Sequence, residues 1–152
     1  MSPAVLPAVQ VALTASLLST GALAVADGSA LFAQHCAICH QADGAGAAGV
    51  APPLMGAHWA QLGSDRNYLP MIVLNGLFGP IKLAGGQAFS GNMPGFAPTL
   101  DDASVAAVAN HVRVLQGAGN GPAYSADDVK AQRLLPGSPT ASRHKRGQLF
   151  GG

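Results

Sequence analysis

The segment Cys36-Ala37-Ile38-Cys39-His40 places two thiols and an imidazole within five consecutive residues. A disulfide between cysteines this close would cross-link a very small loop and stabilise little. A zinc site wants four ligands, and the chain has no second pair of cysteines. A thioredoxin-like redox pair belongs beside a βαβ pattern, which the sequence lacks. What the spacing does fit is Cys-x-x-Cys-His, the signature of covalent haem attachment. On a helical turn the two thiols reach two vinyl groups of one porphyrin as thioethers. The histidine that follows then lies under the iron as its proximal ligand. Cys36 and Cys39 are therefore the expected attachment points of one haem c, and His40 an expected iron ligand.

Three further segments surround this motif in a set order. Gly28, Leu31 and Phe32 precede it with apolar residues at helical spacing, Pro52-Pro53-Leu54-Met55-Gly56 follows it, and Asn92-Met93-Pro94-Gly95-Phe96 lies beyond. From about Gly28 to Gln116 the chain resembles the class I c-type cytochromes. The first helix, the P-x-L-x-G loop and the distal methionine segment of that family match these residues. The resemblance implies that the Pro52 carbonyl accepts a hydrogen bond from the second ring nitrogen of His40, fixing the ring and strengthening it as a ligand. It also implies Met93 as the sixth ligand.

The residues themselves narrow the choice of that ligand. Of four methionines, Met1 would leave with a leader, Met55 belongs to the proximal loop, and Met71 falls in the apolar helical run from Tyr68 to Leu74. Met93 stands in an irregular, glycine-rich stretch and is followed by proline, which suits a ligand on a rigid loop. A second histidine is the alternative. His35 adjoins the haem-binding turn, His111 falls on the last helix of the haem region, and His58 and His144 are read as loop residues. A His40/Met93 pair closes both axial positions, so the iron exchanges electrons and binds no substrate, and methionine raises its potential relative to a second histidine. Trp59 and Tyr68 are possible haem-edge residues, because each carries a polar handle, although core packing explains them equally well.

The elements that must position these groups are helical. Asp101 reads as an N-cap, and Val105, Val108, Ala109, Val112 and Leu115 share one face of a helix reaching Gly117 and crossing the first one at Gly28 and Phe32. A middle helix is expected from Ser64 to Gly76, followed by turns at Gly79-Pro80, Gly85-Gly86 and Gly91. The fold class is all-α: three to four helices and long loops wrapped around one covalent haem. With 20 glycines, 11 prolines and 5% aromatic residues, 152 residues have little with which to build a core unaided, and a rigid apolar cofactor supplies the difference.

Residues 1–26 carry no charged side chain, are largely Ala, Val and Leu, and end in Ala24-Val25-Ala26, the small-residue pattern of a cleaved secretory signal. An uncleaved anchor helix is the rival reading. The haem domain then spans 27–117 and a C-terminal extension 118–152. Ser125 caps a short helix through Leu135, and Pro136 to Gly152 reads as extended, with a basic run at Arg143 to Arg146. Gly119-Asn120, Tyr124 to Val129 and Arg133 are similar to tails on cytochrome domains of membrane-associated dehydrogenases. A solvated extension without a role is the alternative. From Asp27 to Tyr124 three bases face five acids, a net of −2, whereas from Ser125 onward five bases face two acids, a net of +3. No patch interleaves basic and aromatic residues, so nucleic acid is not an expected partner. The basic tail is expected to engage an acidic protein partner.

These features point to a periplasmic electron carrier between a dehydrogenase donor and an oxidase or another cytochrome, not an enzyme and not membrane-spanning once mature. A tightly bound cytochrome subunit of an oxidoreductase differs in how long it stays with its partner. A haem enzyme or gas sensor would need an open iron site, against Met93, and a dithiol protein would carry no haem.

Overall fold

In the computed structural model the described residues are 1, 26–83, 86–118 and 121–150. The leader expected over 1–26 lies outside them except for Met1 and Ala26, and so does the Gly119-Asn120 pair. Asp27, in extended conformation, caps α1 (Gly28–His35) by accepting from the amides of Ser29 and Ala30 at 2.9 and 3.2 Å. Cys36 links α1 to the single-turn α2 (Ala37–His40). The chain then forms α3 (His58–Leu62) and α4 (Tyr68–Asn75). The antiparallel pair β1 (Ile81–Lys82) and β2 (Ala88–Phe89) registers Ile81 with Phe89. Last come α5 (Asp102–Leu115), α6 (Ala126–Arg133) and α7 (Pro139–Leu149).

The core follows from the apolar face of α5. Val105, Val108, Ala109 and Val112 are buried as their spacing requires, and the Asp101 carboxylate accepts from the Ser104 amide at 2.8 Å to start the helix. Helix α1 crosses α5 at Gly28, where a Cβ would overlap the backbone of Ala107, and Phe32 packs against the His111 ring with centroids 5.0 Å apart. Leu69, Val73 and Leu74 of α4 close the same core. The molecule is all-α with a minimal hairpin.

Three expectations are corrected. There are seven helices among the described residues, not three to four. The helix expected from Ser64 to Gly76 starts later, at Tyr68 (α4), after Gly63 to Asn67 turn the chain, and His58, read as a loop residue, instead begins the separate short α3. The segment from Pro136 onward is not extended. Ser138 caps α7 through the Ala141 amide, with Pro139 at the first helical position, where its missing N–H costs nothing.

The extension as a whole is bound to the domain. Tyr124 exchanges two hydrogen bonds with the Asn110 side chain, at 2.8 and 2.9 Å, and its hydroxyl donates to the Arg66 carbonyl. Arg66 and Arg113 flank its ring at 4.3 and 5.6 Å. Arg133 donates to Asp102 at 2.7 Å and to the carbonyls of Ala97 and Leu100 at 2.7 and 2.8 Å. Helix α7 packs on α3 and α4, with Lys145 paired to Asp65 at 2.6 Å. Three of the tail's five basic residues, Arg133, Lys145 and Arg146, are thus engaged within the chain, while Lys130 and Arg143 are exposed.

Candidate functional site

The α2 turn carries Cys36, Cys39 and His40 to one side of an apolar cavity of about 180 Å3. Both cysteines are free. Burial, with the neighbouring Cys39 acting in the same sense, pushes the Cys36 thiol up to about 11. A thiol held protonated at neutral pH is a poor nucleophile, which counts against a thioredoxin-like pair. His40 is buried, and burial holds its imidazole below the usual range, opposed by its hydrogen bond to Pro52. That bond is 3.1 Å long and runs from Nδ1 to the Pro52 carbonyl. A carbonyl can only accept, so Nδ1 carries the proton and Nε2 keeps its lone pair for a metal.

Gly46 makes this approach possible. Its amide donates to the His40 carbonyl at 2.8 Å, and at φ +75° it lies so close to Pro52 and Pro53 that a Cβ would overlap their backbone. The next carbonyl, of Pro53, accepts from His58 Nε2 at 3.1 Å and Trp59 Nε1 at 3.2 Å, fastening α3 to the loop. Trp59 lines the cavity with its indole N–H already engaged, and Tyr68 lines it beside α7.

Met93 reaches the cavity from a backbone stitched to the end of α4. Leu77 and Met93 exchange two hydrogen bonds of 3.0 Å, and the amides of Phe96 and Ala97 donate to the carbonyls of Val73 and Leu74 at 2.9 and 3.1 Å. Gly76 and Gly95 let the strands of chain meet: a Cβ on Gly76 would overlap the Met93 carbonyl, and one on Gly95 the Leu74 carbonyl. Met55 and Met71 do not line the cavity; Met93 does. Among the histidines, His35 shares the lining with His40 and stands edge-on to Phe96 at 5.9 Å, whereas His58, His111 and His144 are not part of it.

The five residues singled out in the sequence are therefore brought to one cavity. Gly46, Gly76, Gly95 and Arg146 were not singled out. Only a glycine followed by tight chain packing could have marked the first three. The remaining lining is apolar, with Phe32, Leu69, Val73 and Val108 among it. Enclosing that volume unfilled would cost on the order of 4 kcal/mol, a large fraction of a small domain's stability. Apolar walls, two free thiols, an unengaged imidazole nitrogen and a thioether fit a haem in both shape and donor chemistry.

An all-α shell drawn around such a cavity, with a Cys-x-x-Cys-His turn in its wall, defines a c-type haem domain built for electron transfer. The chain belongs to the cytochrome c family, whose model matches residues 25–116. It is 41% identical over 142 residues to cytochrome c-552 of Thermus thermophilus, covering 86% of this chain and 93% of that one. It is 30% identical over 129 residues to the cytochrome c subunit of the quinone alcohol dehydrogenase of Gluconacetobacter polyoxogenes, covering 85% of this chain and 27% of that one. The cbb3-type cytochrome c oxidase subunit CcoP of an Azospirillum species is 37% identical over 99 residues, 61% of this chain and 29% of that one. The cofactor is one covalently attached haem c, and the protein is an electron carrier.

Proposed function

We propose that this chain is an exported, periplasmic carrier that moves single electrons from a dehydrogenase to an oxidase or another cytochrome. In this reading residues 1–26 are removed as a leader, 27–117 form the haem domain, and 118–152 form its extension. Cys36 and Cys39 would hold the haem by thioethers, and His40 and Met93 would ligate its iron. The observation that carries the assignment is the pair of braces on one cavity: Pro52 on His40 and Leu77 on Met93.

Haem c supplies an iron that gains and loses one electron. The chain's residues do the rest. Pro52 holds the His40 ring in the tautomer that leaves Nε2 basic, and the Leu77 bridge holds the backbone of Met93 so that its Sδ is offered without a search. Because both ligands come from braced backbone, their positions need not change when the charge changes. Phe32, Leu69 and Val108 exclude water, so little solvent must reorganise. Ile38 and Val50, exposed apolar residues at the cavity lining, form the surface where a partner approaches. The dehydrogenase and oxidase subunits among the relatives support a second reading, in which the chain remains bound to one such complex.

The test is the intact mass and spectrum of the exported protein. It should begin at Asp27 and carry one haem, and Met93→Ala should keep the haem, lower the potential and let the reduced iron bind carbon monoxide. An unchanged potential and spectrum in Met93→Ala would assign the sixth position to another residue, with His35 the first to try.

A further inference from the structure

Helix α7 turns two polar side chains inward, one helical turn apart. Ser142 is fully buried and Arg146 is 5% exposed. Ser142 Oγ and Arg146 Nη2 have no hydrogen-bond partner among the described residues. Arg146 Nη1 donates to the Tyr68 hydroxyl at a long 3.4 Å, and the guanidinium carbon stands 4.9 Å from the centroid of the Phe150 ring. A neutral phenol and an aromatic face are weak compensation for a cation withdrawn from water. No carboxylate supplies more: Asp65, Asp102 and Asp128 are paired with Lys145, Arg133 and Arg66.

Arg146 also lines the cavity, and among the described residues no other lysine or arginine does. A haem is apolar except for its iron and two propionate carboxylates. In a cavity with apolar walls, an acidic edge is stabilised where the fixed cation stands. The guanidinium fork matches a carboxylate in shape and charge. Tyr68, having accepted from Arg146, keeps its own hydroxyl proton to donate to an anion beside it.

We infer that Arg146 binds a haem propionate, with the Tyr68 hydroxyl as second donor, so that the C-terminal helix completes the haem site. This rests on the haem reading of the cavity. The tail is then a part of the cofactor's binding site that lies beyond the residues matched by the family model. The other titratable groups nearby do not interfere across the neutral range. His58 on α3 is held below its usual range chiefly by burial, and Tyr68 on α4 is raised by burial. Asp65 is held low by its hydrogen bond to Lys145.

The experiment compares full-length holoprotein with Arg146→Gln and Arg146→Lys, reading haem content by intact mass and reduction potential against pH. Removing the cation leaves an unneutralised carboxylate that favours the oxidised iron. Arg146→Gln should therefore lower the potential enough to change the reduced-to-oxidised ratio several-fold at fixed ambient potential, tenfold being 59 mV for one electron. It should also gain a pH slope as the unpaired propionate titrates, and Arg146→Lys should restore most of both. Loss of haem in Arg146→Gln but not in Arg146→Lys supports the same contact. If both variants carry haem with the parent's potential and pH profile, the inference fails while the haem site stands. If neither variant loads, infrared titration of the parent decides: two propionates titrating in the ordinary carboxylate range overturn the contact, and one held far below it supports it. A parent without haem would instead overturn the underlying reading.

Discussion

Replacing Gly76 by alanine should detach Met93 from the site without touching Met93 itself. Gly76 ends α4 with φ 71° and ψ −170°, a region open essentially to glycine alone, and forcing alanine there costs about 1–3 kcal/mol. The added methyl would also overlap the Met93 carbonyl and come within 2.7 Å of the Gly95 amide. Relief requires the 93–95 segment to move away, which breaks both Leu77–Met93 hydrogen bonds, each contributing about 1 kcal/mol. The sum is a loss of about 3–5 kcal/mol, a large part of what holds a small domain together. Gly49→Ala is the control. Gly49 has φ +72° but nothing within 4 Å of a Cβ, so only the conformational cost of about 1–2 kcal/mol applies. Denaturant unfolding of both holoproteins measures the energies, and the methionine-to-iron charge-transfer band of the oxidised protein reports the ligand. Gly76→Ala should keep its thioethers, lose or weaken that band and fall in potential, while Gly49→Ala keeps both. A Gly76→Ala protein with the band intact and stability equal to Gly49→Ala would refute the claim that this backbone contact sets the position of Met93.

Two further outcomes concern the extension. Arg133→Ala removes a partly exposed ion pair and two hydrogen bonds to carbonyls, and should lower stability by about 2–3 kcal/mol after allowance for solvent screening, as read from the shift in denaturation midpoint. A loss under half a kcal/mol would show that α6 is held without Arg133, by buried Val129 and the Asp128–Arg66 pair. Asp65 is held below its usual range first by its hydrogen bond to Lys145, so its contribution is present above the unfolded carboxylate value of about 4 and disappears as pH falls through the folded one. Asp65→Asn should therefore cost up to about 1 kcal/mol at pH 7 and nothing in strong acid, and its stability curve should be flatter on the acid side than the parent's. Parallel curves would remove the pair from the account.

What could be read from the sequence was the part in which chemistry fixes spacing. In the proposed reading, covalent attachment at two vinyl groups dictates the spacing of Cys36, Cys39 and His40, and α5 declares itself because its buried face is Val and Ala at helical intervals. Helix α7 gave no such sign. Its inward face is Ser142 and Arg146, so hydrophobic periodicity, the main signal of a packed helix, is missing, and the run from Arg143 to Arg146 reads as a solvated charge cluster. Its capping residues, Ser138 and Pro139, were legible in principle. The separate helix α3 was hidden because His58 to Leu62 is too short for a periodic pattern to form. The roles of Gly46, Gly76 and Gly95 depend on which distant stretches of backbone approach each other, information that only the closed fold contains.

The crossing of α1 and α5 has a consequence for the order of events in folding. Gly28 lies in contact with the Ala107 backbone, so the surface on which α1 docks is made near the far end of the haem domain. Contacts of such sequence separation carry a loop-closure penalty that must be met before they return any stability. A chain made amino terminus first therefore presents Cys36 and Cys39 before the helix that supports α1 has arrived. The thiols are reachable while α1 is still unsupported, and docking of α5 then encloses whatever has been attached to them.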